Sequence, residues 1–304
     1  MIGIVQASGR PLLLTMLFCC CVASAAHAAP ICKRLAATNQ GFVPVNGFVE
    51  NPPPLPLDTA RAHCAWGIGL AIPSSGSGTA FIIGNRREVM ANLHVVDRHC
   101  RGDRRFTFAH GFNGRAGLSS IGATVVARGD YCAKLRRGGH DYGGDWVIAV
   151  LDEDPLAVEE IAPGTDIRPM QPRADRSWLR DNGRYVLLGY GMSYRAGLFP
   201  YRSAPCRFGR LFEQDVVEHD CDASARTSGA PIVSNDVGGN CVVSALHVGE
   251  IKQMAGRPAY IDDVDANVAV LSERFAATVR AVARELERGR DAAEIEAELA
   301  RRRP

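Results

Sequence analysis

The chain has 304 residues, 46% of them hydrophobic and 22% charged, with a formal net charge of +2. That is too apolar for a disordered chain, and long enough for one large or two small cores. The charges nearly balance, with no strong basic run outside the last residues and no interleaved aromatics, so no nucleic acid is expected as a partner.

The chain opens with MIGIVQASGRPLLLTMLFCCCVASAAHAAP. One cation at Arg10 precedes an apolar run from Leu12 to about Ala26, and Ala26-His27-Ala28 has the small-residue form of a cleavage site. Residues 1–28 therefore read as a secretory signal cut after Ala28. The run is short and interrupted by Ser24 and His27, which argues against stable membrane insertion. A secreted or periplasmic protein is expected. Cys19, Cys20 and Cys21 leave with the signal, and Cys32, Cys64, Cys100, Cys132, Cys206, Cys221 and Cys241 remain. Export permits disulfides. Cys206 and Cys221 flank a turn-rich excursion and form the expected local bridge, closing a loop of about 15 residues worth roughly 3 kcal/mol. Cys100 with Cys132 is a second candidate.

Residues 29–60 contain NPPPLPL and little periodicity, and read as a leader or extended strap. From Trp66 onward the apolar runs are short and bounded by turns: WGIGLAI, TAFII, EVMANLHVV, RRFTFAH, ATVVA, WVIAVL, YVLLGYG, LFEQDVVEH, APIVS and CVVSALHVG. No regular helix alternates with them. The pattern predicts an all-β unit over 61–271, as paired small barrels or a sandwich. Residues 272–304 change character. Leu271, Phe275, Val279 and Val282 recur at helical spacing, followed by Leu286, Ile295 and Leu299. This predicts a C-terminal helix docked by one apolar face and bent or divided at Gly289. A coiled-coil interface is the other reading of that stripe.

Three segments carry candidate chemistry. In GSGTAFIIGNRREVMANLHVVDRHC, His94 follows an apolar strand at the start of a turn, where an imidazole sits at a rim. In HDYGGDWVIAVL, Asp145 opens a continuous apolar strand after two glycines, and a carboxylate buried there needs a partner such as His94. In CDASARTSGAP, Ser228 stands among small and turn-forming residues, a composition that alone describes an ordinary loop. The order His94, Asp145, Ser228 is one of the chain orders of the serine triad.

At this point the chain resembles trypsin-like serine endopeptidases of the chymotrypsin fold, in the bacterial branch of glutamyl endopeptidases and periplasmic high-temperature-requirement proteases. GSGTAFII is similar to the branch's first-barrel Gly-Ser-Gly-Thr-Gly/Ala-Phe strand, and ANLHVV to its Thr-Asn-x-His-Val-Val. GGDWVIAVL is similar to the strand carrying the acid, LLGYG to a hydrophobic-Gly-aromatic-Gly strand, CDASARTSGAPIV to the nucleophile loop, and VVSALHVG to the strand lining the primary pocket. The resemblance spans about residues 62 to 271. It implies two packed six-stranded antiparallel barrels, a peptide or protein substrate, no cofactor and no metal. It implies His94 as base, Asp145 as orienting acid, Ser228 as nucleophile, and the Arg226 and Ser228 amides as the oxyanion hole.

Two positions depart from the family. Arg226 stands where the family has glycine, and arginine lacks glycine's ready access to positive φ. Thr227 stands where animal trypsins hold an Asp that receives the newly cut N-terminus, so activation by such a cut is not implied. Asp222 and His247 fall at pocket offsets, the first associated with basic and the second with acidic side chains, or they pair with one another. A polar or charged residue before the scissile bond is expected, basic ahead of acidic. A secreted noncatalytic peptide-binding protein is the alternative function. A metal site built from His94, His99, Cys100 and His110 lacks any recognised ligand spacing.

Overall fold

The computed structural model describes residues 67–302 except 75, 111–119, 138–141, 159–166, 177–178, 180–184, 193–196, 198–199, 204, 214, 235–240 and 253–264. The signal over 1–28, the leader over 29–60, and Cys32 and Cys64 lie outside the described residues.

Six strands form the first unit: β1 (Ile68–Ile72), β2 (Gly78–Ile82), β3 (Glu88–Ala91), β4 (Arg105–His110), β5 (Ser120–Arg128) and β6 (Val147–Leu151). They close antiparallel in the order β1-β2-β3-β6-β5-β4. Closure removes the exposed edges that a six-stranded sheet would otherwise carry. Val89, Ala91, Val147, Ala149 and Leu151 point to the barrel interior. Met90, Ile148 and Val150 face the opposite way into a second cluster, shared with the other half of the molecule. Strands buried on both faces read as continuous apolar runs, which is why VIAVL shows no alternation.

The second unit contains β7 (Gln171–Pro172), β8 (Tyr185–Tyr190), β9 (Pro200–Arg202), β10 (Phe208–Glu213), β11 (Val216–His219), β12 (Pro231–Ser234), β13 (Val242–Lys252) and β14 (Asp265–Leu271). Its order is β10-β11-β14-β13-β12-β8-β9, with β7 added parallel to β13. Cys206 bridges Tyr185 on β8, and Phe208 two residues later pairs with His219 on β11. The chain running from β9 to β10 thus borders both ends of the sheet and brings it round into a second barrel. Tyr185, Leu187, Tyr201, Ile232, Ala245 and Ala269 fill its interior.

Leu271, which the helical spacing places on the C-terminal stripe, instead ends β14. The terminal segment is two helices, α3 (Glu273–Glu287) and α4 (Ala292–Arg301). Gly289 at φ 77° divides them, in a conformation that costs glycine little. Phe275, Val279, Val282 and Ile295 are fully buried and join the cluster between the two units. The buried carboxylate of Glu285 takes Arg288, Arg290 and Arg302 at 2.8–2.9 Å and ties the two helices together. No helix among the described residues is long and apolar enough to cross a membrane.

Under α3 lies an exception to polar satisfaction. Glu88 is fully buried, and among the described residues neither carboxyl oxygen has a hydrogen-bond partner. A Cβ on Gly84 would stand 2.5 Å from Glu88 Oε2 and 2.8 Å from Val279 Cγ1, so the carboxyl is held between a barrel turn and the helix. Burial raises its pKa well above the ordinary carboxylate value. Folding then retains a proton that the unfolded chain releases. The penalty is absent below the unfolded value of 4.5, grows as pH rises through it, and levels off above the folded value. Glu88→Gln is therefore expected to be more stable than the parent by a margin that widens as pH rises above that value, measured by urea midpoints across pH.

Candidate active site

His94 sits in a one-turn helix, α1 (Leu93–Val96), at the end of β3. Asp145 follows a 3₁₀ turn over Tyr142–Gly144 and immediately precedes Trp146 and β6. β3 and β6 are paired neighbours, with Ala91 opposite Val147, so the residues just beyond their ends meet at one rim. The buried Asp145 carboxylate accepts from the His94 amide at 2.9 Å through Oδ1, and from His94 Nδ1 at 2.5 Å through Oδ2. Asn92 Nδ2 donates to the Asp145 carbonyl at 2.7 Å, fixing the backbone behind the carboxylate. Burial lowers the His94 pKa, but the charge and hydrogen bond of Asp145 overcome it and hold the ring above its ordinary 6.5. The ring is 31% exposed, so its outer edge remains accessible. The short helix α2 (Tyr131–Leu135) places Tyr131 6.4 Å from the imidazole, and a Cys100–Cys132 disulfide ties α2 to the loop after α1. That bridge removes Cys100 from any metal proposal. Among the described residues no three His, Cys, Asp or Glu side chains gather as a metal-binding group.

Ser228 lies in the loop between β11 and β12, and a Cys206–Cys221 disulfide anchors the start of that loop. The Thr227 amide donates to the Ser224 carbonyl at 3.0 Å, and the Ser224 amide donates to Thr227 Oγ1 at 3.0 Å. Thr227 thus closes the turn locally. Arg226 adopts φ 75° within it, the left-handed region expected to require glycine. The carbonyls around it are all engaged. Ala225 O accepts from the Met192 amide at 2.9 Å, Arg226 O from Thr79 Oγ1 at 3.0 Å, Thr227 O from the Ala230 amide, and Ser228 O from the Thr79 amide at 2.9 Å. Among the described residues, neither the Arg226 nor the Ser228 amide donates a hydrogen bond. With its carbonyls tied inward, the turn keeps two donors unspent beside the Ser228 side chain. Gly229, at φ 89°, has room for no side chain, since a Cβ would stand 2.1 Å from Thr79 O.

The Ser228 hydroxyl donates to the Val248 carbonyl at 3.0 Å rather than to His94. A register shift in β13 between His247 and Gly249 accompanies this carbonyl, and bulges of that kind re-aim backbone groups beside sites. The structure therefore joins His94 to Asp145 and leaves Ser228 hydrogen-bonded to β13.

Asp222 and His247 are both buried. The Asp222 carbonyl accepts from Tyr201 OH at 2.8 Å. His247 Nδ1 lies 2.9 Å from His219 Nε2, and His219 Nδ1 accepts from the Cys221 amide at 3.2 Å. Those roles make His219 Nε2 the donor and leave His247 Nδ1 as acceptor. Burial, with the charge of His94 behind it, lowers the His247 pKa to about 3, so this ring is neutral. Thr79, His219, Tyr201 and the Val248 carbonyl are site components that sequence reading missed. Thr79 stood in the quoted GSGTAFII motif, where its identity was the one available signal.

No protein-family model matches the chain, and no curated protein matches it. Solved structures do. A Glu endopeptidase is 11% identical with a TM-score of 0.56, covering 79% of this chain and 97% of its own. Two inactivated protease paralogues of the scabies mite are each 10% identical, with TM-scores of 0.53 and 0.50, covering 79% and 72% of this chain and 100% and 91% of theirs. The chain is thus built on the trypsin-like serine protease fold.

Thr79 uses its amide, its hydroxyl hydrogen and its hydroxyl oxygen at once, the oxygen accepting from the Tyr190 amide at 3.0 Å. Thr79→Val keeps the shape but leaves a buried amide and a carbonyl without partners. A loss of about 1–3 kcal/mol in denaturant unfolding is expected.

Proposed function

We propose that the protein is a secreted or periplasmic serine endopeptidase that cleaves peptide or protein substrates through an acyl-enzyme. The observation that carries the proposal is the grip of Asp145 on both the amide and Nδ1 of His94. That grip fixes one tautomer and leaves Nε2 as the free base on the accessible edge of the ring. Ser228 Oγ first turns away from Val248, then attacks the substrate carbonyl as His94 Nε2 takes its proton. The C–N bond breaks as His94 returns that proton to the leaving amine, and water repeats the cycle on the ester. The Arg226 and Ser228 amides receive the negative charge on the carbonyl oxygen. Asp222 and His247 lie toward the primary side-chain pocket. A neutral His247 already bonded to His219 offers no standing positive charge to an acidic side chain, which keeps basic residues ahead of acidic ones before the scissile bond. The two disulfides formed by Cys100–Cys132 and Cys206–Cys221 suit an oxidising compartment.

One observation favours a second reading. The Ser228 hydroxyl is engaged away from the base, and inactivated proteases share this fold. In that reading the cleft holds peptides without cutting them. Labelling of purified protein by a peptidyl phosphonate, followed by peptide mapping, separates the two. Modification at Ser228 that is lost in Ser228→Ala supports the peptidase; wild-type protein that neither labels nor cleaves broad peptide pools supports the binding protein.

The raised His94 pKa sets the acid limb of activity. Only the neutral ring accepts the serine proton, so kcat/KM is expected to rise with pH and reach half its plateau above 6.5. Asp145→Asn should displace that midpoint downward and cut turnover by about 10⁴-fold, as loss of the correct tautomer does in this mechanism.

Arg226 already holds φ 75°, so glycine there has little left to supply. Arg226→Gly is expected to change turnover far less than the roughly hundredfold attached to one oxyanion donor. A gain of that full size in steady-state kinetics would show that arginine holds the amide out of line.

A further inference from the structure

Arg226 lends its amide to the Ser228 turn, but its side chain has no part in the chemistry above. That side chain is half-buried, and its guanidinium makes no hydrogen bond or ion pair among the described residues. The sheet order fixes where it lies. β12 begins at Pro231, three residues after Ser228, and runs between β13 and β8, so these two strands flank the Ser228 segment from opposite sides. On the β13 side, the Val248 carbonyl accepts the Ser228 hydroxyl, and His247 precedes it. On the other side, β8 ends at Tyr190, and Met192 just beyond it donates its amide to the Ala225 carbonyl at 2.9 Å. The Arg226 stem runs to this β8 side. A Cβ on the buried Gly197 would meet Arg226 Cδ and Nη1 at 3.1 Å and Met192 Sδ at 3.2 Å. Met192 is 36% exposed. Arg226 and Met192 thus cover Gly197 together, presenting an apolar thioether beside a cation that has no counter-ion.

The backbone gains nothing from an arginine here. Glycine would hold φ 75° at little cost, whereas arginine holds it under strain, and what arginine adds is a side chain. A second cation faces the same cleft from the first barrel. Arg98, exposed in the loop after α1, makes no hydrogen bond or ion pair among the described residues. Burial opposes protonation of His94, Asp145 favours it, and the charge of Arg98 opposes it, so that charge is felt at the ring. The carboxylates at hand are committed: Asp145 holds His94, and Asp97 accepts from the Arg101 and Gly102 amides. We propose that Arg226 selects the leaving-group side of the substrate, taking a carboxylate from the first or second residue after the scissile bond while Met192 takes that residue's apolar stem. The assignment of sides rests on the peptidase reading, in which the acyl side lies along β13 and its pocket, leaving β8 to the departing segment. A guanidinium fork matches a carboxylate in two parallel hydrogen bonds. Such a carboxylate comes either from an Asp or Glu side chain or from the C-terminus of a substrate that ends there.

The test uses quenched-fluorescence peptides with mixed acyl-side residues, an amidated C-terminus, and Glu, Gln or Lys at the first or second leaving-group position. Cleavage by the full-length protein is expected to favour Glu over Gln by about fivefold or more in kcat/KM, with Lys below Gln, and the preference should shrink as salt is raised. In Arg226→Gln the Glu-to-Gln ratio should fall to about one. Arg226→Lys should keep part of it. Each ratio compares two peptides on one variant, so any change in the Arg226 amide divides out. Peptides ending at the first leaving-group residue, as free acid and as amide, separate the sources: preference for the free acid identifies the C-terminal carboxylate, and preference for Glu in amidated peptides identifies the side chain. Binding of the same peptides to Ser228→Ala, read by fluorescence anisotropy, should show the same ranking without any chemistry. If nothing is cleaved but this ranking holds and is lost in Ser228→Ala/Arg226→Gln, the peptidase reading fails and the Arg226 subsite stands as part of a binding cleft. Equal handling of Glu, Gln and both C-termini in cleavage and binding, or a ratio that survives Arg226→Gln, overturns the proposal; cleavage that persists without the preference leaves the peptidase reading intact.

Discussion

Thr79 is the residue on which the candidate site depends. It belongs to β2 in the first barrel, yet its amide and hydroxyl hold the Ser228 and Arg226 carbonyls of the second, while its oxygen receives the Tyr190 amide from β8. Three hydrogen bonds from one small buried side chain and its backbone tie the first barrel to the Ser228 turn and to β8. A longer residue would force them apart, and an apolar one would leave buried groups unsatisfied. The Gly229 contact with the Thr79 carbonyl repeats the constraint from the opposite side. The seam between the barrels is thus a fitted joint of backbone atoms, with the apolar cluster around Met90, Ile148 and Tyr190 behind it.

This joint accounts for Arg226. A non-glycine residue in the left-handed region costs roughly 1–2 kcal/mol, which a lone turn would relieve by flipping a peptide. Here a flip would break the Ala225 bond to Met192 or the Arg226 bond to Thr79. The strain is outweighed locally and persists, as strain at functional sites does when its surroundings over-determine it. The Arg226 side chain also has a place to go. A Cβ on Gly197 would lie 3.1 Å from its Cδ, so the stem packs over that glycine.

Much of the architecture was legible because burial leaves marks in composition. Runs such as TAFII and WVIAVL are apolar on both faces since each strand separates two cores, and turn residues bound them. The barrel strand β14 was not legible. DANVAVL runs directly into α3, so Leu271 fell into phase with Phe275, Val279 and Val282, and a helical reading absorbed the end of a strand. The positions of His94, Asp145 and Ser228 were carried by local motifs, and the structure brings the first two into contact. The direction of the Ser228 hydroxyl was not legible, because it follows from a register shift in β13 twenty residues later. His219 carried no signal either, since its partner His247 is adjacent only after the barrel closes. The difficulty at Arg226 came from local propensity, which tertiary hydrogen bonds override.

The two barrels are threaded unequally, and this orders their assembly. All six strands of the first lie between Ile68 and Leu151 in one contiguous stretch, so it can close while the rest of the chain is still emerging. The second cannot. Its β14, ending at Leu271, sits between β11 and β13, and the Ser228 loop leans on β13 through the Gly229 amide and the His247 carbonyl. A chain delivered from its N-terminus thus completes the His94–Asp145 pair early and fixes Ser228 only when nearly all of it has arrived. Such a vectorial order withholds the Ser228 loop until the first barrel has closed behind it.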